Sequence, residues 1–216
     1  MSREIKYAAG AAGIVALLGV AAYAVANNKL SWGTSKVCAP WLRNGPVALI
    51  GDSIGVGMEK PLRAAVSPAP LTAIPKGGHA ANQTLQRVKE NPKILESDLI
   101  FVSLGSNDYA GTPNAKAIHE LIDLLVSDRA HVIWVLPPNI LLNPPPPPAT
   151  REKQDEFLRI LHEDPHVRAG EVTLWTPSDA VRHEFWQFDR IHLTPKGYTL
   201  LAQEVADWAR HPCLLT

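Results

Sequence analysis

Ser53 stands in Gly51-Asp52-Ser53, directly after a short apolar run, and is the first residue here whose setting suggests chemistry. A serine hydroxyl becomes a nucleophile only when a neighbouring base takes its proton. His192 is the candidate base, since imidazole titrates near neutral pH. It closes the stretch Asp189-Arg190-Ile191-His192. Asp189, three residues earlier, is close enough to accept from the second ring nitrogen, fix the tautomer and stabilise an imidazolium. Attack on a carbonyl places negative charge on its oxygen, which preorganised donors must meet. Three candidates are available: the Ser53 N–H, a backbone N–H in the turn Gly77 to Ala81, and the side-chain amide of Asn107 in Gly105-Ser106-Asn107-Asp108.

These residues lie far apart in the chain, so the elements between them must bring them together. Strand and helix patterns alternate. Val47 to Ile50, Leu71 to Ile74, Leu99 to Leu104, His131 to Leu136 and Val172 to Trp175 read as short buried strands. Ile54 to Val66, Asn82 to Lys93, Ala115 to Val126 and Arg151 to Leu161 have helical spacing. Thr194-Pro195 opens a last helix, with Thr194 as N-cap and Pro195 in the first turn, where its missing N–H costs nothing. The alternation predicts a mostly parallel five-stranded sheet covered on both faces, a three-layer α/β/α domain of flavodoxin-like type. Ligands bind such sheets beyond the carboxyl ends of the strands. Ser53, Gly78 and Asn107 follow the first three strands, and His192 precedes the last helix, so all four are expected on one edge.

Taken together, these short stretches resemble the four blocks of the SGNH hydrolases, also called GDSL esterases/lipases. Ile191-His192-Leu193-Thr194-Pro195-Lys196-Gly197-Tyr198 is also similar to the last block of that family. The resemblance runs from Pro46 to Arg210. It implies ester hydrolysis through an acyl-enzyme, without metal or organic cofactor. Its signature residues fall on Ser53, Gly78, Asn107 and His192, with Asp189 as third member of the triad. One departure stands out. The family's second block often reads Gly-x-x-Gly, which here places Ala81 where the second glycine would be, so Gly78 and Ala81 both remain candidates for the second oxyanion N–H.

The N-terminal segment is a separate matter. Ala8 to Ala26 carries no charge, follows Arg3 and Lys6, and ends in Ala24-Val25-Ala26, a small-x-small pattern. It reads as a membrane anchor or as a signal peptide, either of which predicts a catalytic domain on the extracytoplasmic side. The expected organisation is an anchor or signal over 1–26, a linker over 27–45 and the hydrolase domain over 46–216. Cys38 and Cys213 flank that domain, and a disulfide joining its ends suits an exported protein. The formal charge of zero, over 216 residues, gives no reason to expect nucleic acid.

Other features have plainer readings. His162-Glu163-Asp164-Pro165-His166 has metal-like content, but Pro165 breaks the helix that would align the histidines. Pro144 to Pro148 reads as a stiff rim on the active-site side. Trp134 reads as core, Trp175 and Trp186 as packing or substrate stacking, and His79 as a loop histidine beside the oxyanion turn. The expected substrates are short-chain, acetyl esters on an envelope or extracellular carbohydrate. The alternatives are a lysophospholipase or thioesterase, and a non-catalytic carbohydrate-binding module.

Overall fold

Two of the short apolar runs become adjacent inner strands. β1 (Val47–Gly51) lies parallel to β3 (Leu99–Ser103), in register from Val47 opposite Leu99 to Gly51 opposite Ser103. β2 (Leu71–Ala73) flanks β1, β4 (His131–Val135) flanks β3, and β5 (Val172–Trp175) closes the other side, giving the order β2-β1-β3-β4-β5 with every pairing parallel. This computed structural model describes residues 41–126, 129–138 and 148–211. The anchor or signal segment, the Cys38–Cys213 pair and most of the proline run lie outside the described residues. Among those described, no helix is long and apolar enough to cross a membrane.

Each inner strand is buried on both faces, so its residues are apolar throughout yet still sort by twos. Val47, Leu49, Leu99, Phe101, Ile133 and Val135 enter one core. There they meet α1 (Ser53–Ala65) through Ile54, Met58 and Leu62, and α8 (Pro195–Arg210) through Leu201, Val205 and Ala209. Ala48, Ile50, Ile100, Val102, Val132 and Trp134 enter the other core. That face is covered by α2 (Ala81–Glu90), α4 (Ala115–Leu125) and α5 (Pro148–Glu163). The three-layer architecture and parallel sheet are as the sequence predicts.

Several details differ. The predicted helix over residues 82–93 ends at Glu90, and a 3-10 turn, Pro92–Glu96, takes over because Pro92 has no N–H to continue the ladder. α5 starts at Pro148, ahead of the predicted Arg151. Three short helices carry no predicted counterpart: α3 (Ser106–Ala110), α6 (Pro165–Arg168) and α7 (Asp179–Glu184). Trp41 and Leu42, at the end of the segment read as a linker, join the domain: both N–H groups donate to the Ala209 carbonyl, at 2.9 and 3.1 Å, and Leu42 is buried.

α1 and α8 lie side by side with their N-termini at the same edge of the sheet. Their close approach depends on Gly57, where a Cβ would sit 2.2 Å from the Tyr198 ring. This approach carries the start of α1 to the loop that precedes α8, and so determines which side chains meet there.

Candidate active site

Asp52 explains the local position of Ser53. Its backbone N–H donates to the Ser103 carbonyl (2.9 Å), extending the β1–β3 ladder by one bond. Its Oδ1 then accepts from the Ile54 N–H (2.9 Å), capping α1. Gly51 makes the turn feasible: its φ is 151°, and a Cβ there would lie 2.1 Å from the Ser103 oxygen. Ser53 thus begins a helix at the carboxyl edge of an inner strand, where unpaired N–H groups face outward.

His192 arrives on a small hairpin. Trp186 and Leu193 form an antiparallel bridge, the Gln187 N–H donates to the His192 carbonyl (2.8 Å), and the Arg190 N–H donates to the Gln187 carbonyl (3.1 Å). Asp189 sits inside this turn, its Oδ1 accepting from the N–H groups of Ile191 and His192, both at 2.9 Å. Its Oδ2 accepts from His192 Nδ1 (2.7 Å), while His192 Nε2 accepts from the Ser53 hydroxyl (2.9 Å). Ser53, His192 and Asp189 therefore form one continuous hydrogen-bonded chain. The bond to the imidazole, then those to the two backbone N–H groups, hold the Asp189 carboxyl down to about 2, so it is ionised at any working pH.

Opposite the hairpin lies the glycine turn. A Cβ on Gly77 would be 3.8 Å from that of Ser53, which fixes the turn beside the nucleophile. The Ala81 N–H is occupied by Asp108 Oδ1 (3.0 Å). The N–H of Gly78 has no partner among the described residues. Of the two candidates for the second oxyanion donor, Gly78 is therefore the one left available. Asn107 donates one amide hydrogen to the His79 carbonyl (3.1 Å), which ties it to the same turn and leaves the second hydrogen unpaired among the described residues. The His79 ring is held below its ordinary value, first by burial and then by the charges of Arg87 and Lys76, and it is neutral beside this turn.

Two buried carboxyls support the site without touching a substrate. Asp108 caps α2 from a distance and is raised chiefly by burial. Asp52 is raised to about 7, mostly by burial, with the neighbouring Asp108 charge adding to it. Neither structural role was read from the sequence. Asp52 immediately before a helix is an N-cap signature that was there to be read; Asp108 bonding a residue 27 positions away was not.

Other sequence candidates fall elsewhere. His166 lies between Glu171 (2.6 Å) and Asp123 (3.1 Å), and His119 bonds Asp164 (2.6 Å), each histidine hydrogen-bonded to carboxylates. No cluster able to hold a metal occurs among the described residues. Trp134 is fully buried and donates to the Leu104 carbonyl (3.1 Å); Trp175 is buried too, and Trp186 donates to Arg182 (2.6 Å). Trp175 lies in the core, and Trp186 packs half-buried against it.

The fold and this hydrogen-bonded chain define a class of serine-dependent ester hydrolases. The model of the GDSL-like Lipase/Acylhydrolase family matches residues 49–200, and this chain belongs to that family of serine ester hydrolases. No curated protein matches the sequence. The structure is similar to a psychrotrophic esterase from Pseudoalteromonas sp., at 18% identity and TM-score 0.53, over 76% of this chain and 96% of the other. It is also similar to the catalytic domain of the Streptococcus pneumoniae peptidoglycan O-acetyltransferase A, at 20% identity and TM-score 0.55, over 75% and 90%. An acetyl xylan esterase from Geobacillus stearothermophilus aligns at 14% identity and TM-score 0.57, over 77% and 95%. At such identities the likeness is one of fold.

Proposed function

We propose that this chain is a serine esterase that removes short acyl groups, acetyl foremost, from a carbohydrate. Ser53 Oγ attacks the ester carbonyl carbon as its proton passes to His192 Nε2. The oxyanion that forms is met by the N–H groups of Ser53 and Gly78 and by the Asn107 amide. His192 then gives its proton to the departing sugar oxygen, leaving Ser53 acylated. Water, deprotonated by the same imidazole, releases the acid and restores the hydroxyl. Asp189 stays ionised throughout and holds the ring.

The observation that carries this reading is the unbroken Ser53–His192–Asp189 chain at 2.9 and 2.7 Å. The carbohydrate side is supported by the openness of the triad: the side chains of His192 and Asp189 are 34% and 44% exposed, which leaves room for a bulky alcohol above them. It is also supported by the names of two similar structures, one acting in peptidoglycan O-acetylation and one on acetyl xylan. p-Nitrophenyl acetate turnover tests the core of the proposal: Ser53→Ala is expected to lose about 10⁴–10⁶-fold in kcat, and equal rates would sink it.

The domain works outside the cytoplasm on this reading, since Arg3 and Lys6 precede the uncharged stretch Ala8 to Ala26. A Cys38–Cys213 disulfide would then tie down the two chain ends. Its support is the Trp41–Ala209 backbone bond, which brings together residues three and four positions from the two cysteines. Thiol titration of the non-reduced protein tests it, two free thiols being the result that rejects it.

A further inference from the structure

Among the described residues, three large apolar side chains are exposed: Val56, Phe188 and Ile191, at 49%, 106% and 44%. Exposed apolar residues scattered singly need no explanation. These are not scattered. Phe188 and Ile191 are on the hairpin tip, next in sequence to Asp189 and His192, and Val56 lies one turn along α1 from Ser53. Every other large apolar group described here is withdrawn from the surface to some degree, yet the phenyl ring nearest the triad carboxylate is left wholly in water.

We propose that Phe188 is the platform on which a sugar ring of the substrate lies, with the ester presented to Ser53. This rests on the carbohydrate reading above. The tip is rigid. The Gln187–His192 and Gln187–Arg190 backbone bonds, the two N–H bonds to Asp189 Oδ1, and the Gln187 side chain donating to the Leu193 carbonyl (2.7 Å) fix the ring's base relative to the nucleophile. With the backbone held, only the two side-chain torsions of Phe188 are left to be ordered on binding. One face of a pyranose or furanose presents mainly C–H groups, which suit a phenyl surface, while its hydroxyls stay wet.

A lipid surface fits less well. The ring shares its four-residue tip with the carboxylate of Asp189 and the guanidinium of Arg190. Sinking Phe188 into hydrocarbon would drag the ionised Asp189 out of water, an expensive transfer for the group that orients the base. A sugar leaves that carboxylate hydrated and offers hydroxyls to both neighbours.

The test compares kcat and KM for wild type, Phe188→Ala and Phe188→Trp on three esters: acetylated xylo-oligosaccharides, O-acetylated chito-oligosaccharides, and ethyl acetate, which has no ring. Because Phe188 is fully exposed, truncating it leaves no cavity. The expected result is a KM for at least one saccharide raised about tenfold in Phe188→Ala, a loss of about 1.4 kcal/mol, at least fivefold beyond any change on ethyl acetate. Phe188→Trp is expected to restore it. Equal losses on saccharide and ethyl acetate overturn the platform while leaving the carbohydrate reading in place. Turnover of ethyl acetate but of neither saccharide overturns both, and leaves only the esterase chemistry. Co-sedimentation with phosphatidylglycerol vesicles that disappears in Phe188→Ala also overturns the proposal, in favour of a lipid surface.

Discussion

Each end of the sheet holds a histidine bonded to a hydroxyl, yet the two ends do opposite things. At the amino edge, His131 stacks on Trp41, with ring centres 3.7 Å apart, bonds Thr173 Oγ1 (3.0 Å), and has Trp208 tilted against Trp41 beyond. Burial lowers it to about 4, so it is neutral. At the carboxyl edge, His192 has a carboxylate on one nitrogen and a serine hydroxyl on the other, and stays partly exposed. A histidine with a hydroxyl partner is therefore not enough for catalysis. What separates the two is an ionised carboxylate on the second ring nitrogen, which stabilises an imidazolium.

The difference can be broken first at Asp189. Asp189→Asn leaves His192 without an anionic partner, as His131 is, and kcat on p-nitrophenyl acetate is expected to fall about 10³–10⁴-fold. Asn107→Ala removes the proposed oxyanion donor while leaving the base intact. A kcat loss of about 10²–10³-fold with KM little changed is expected from steady-state kinetics. The opposite end can be broken alone. Trp41→Ala strips the stack from His131 and is expected to cost about 2–3 kcal/mol of stability in urea unfolding, with esterase kcat/KM within twofold of wild type.

The smallest effect sharpens the contrast through pH. Asp52 is raised to about 7, so the folded state keeps a proton that the unfolded chain gives up near 3.8. Its contribution is complete below about pH 4 and is lost as pH rises towards 7. Asp52→Asn still caps α1 but cannot ionise. Its unfolding free energy from urea titration is expected to gain on wild type by about 1–2 kcal/mol between pH 4.5 and 8. His131 has the opposite sign: it is lowered from 6.5, so its contribution is present above pH 6.5 and is lost as pH falls towards 4. His131→Asn is expected to flatten that acid-side loss in the same measurement.

What could be read in advance follows from where the information sits. β1 and β3 are legible as unbroken apolar runs because a strand covered on both faces has no polar side. α8 is legible from Thr194-Pro195, since capping and first-turn chemistry are local; the Thr194 hydroxyl does accept from Gly197 (3.2 Å). α3, α6 and α7 are four to six residues long, too short for an apolar stripe to show. The start of α5 was hidden because Pro148 closes a run of prolines that reads as extended chain. Ser53, His192 and Asp189 could be proposed because each has a chemical type suited to its part. The choice between Gly78 and Ala81 could not be made, because it turns on Asp108, whose bond to the Ala81 N–H exists only after two distant loops have docked. Trp41 joins the core from a segment with no periodicity, and a single Trp-Leu pair is a weak signal.

That docking has a mechanical consequence. Ala81 is joined to Asp108, and Asn107 to the carbonyl of His79, so the glycine turn and the start of α3 are cross-linked at two points. The imidazole belongs to a second piece, the hairpin at the start of α8. Catalytic alignment thus depends on how these two hydrogen-bonded pieces meet at Ser53. A substitution far from the seam that tilts either piece would detune the reaction while leaving every bond within each piece intact.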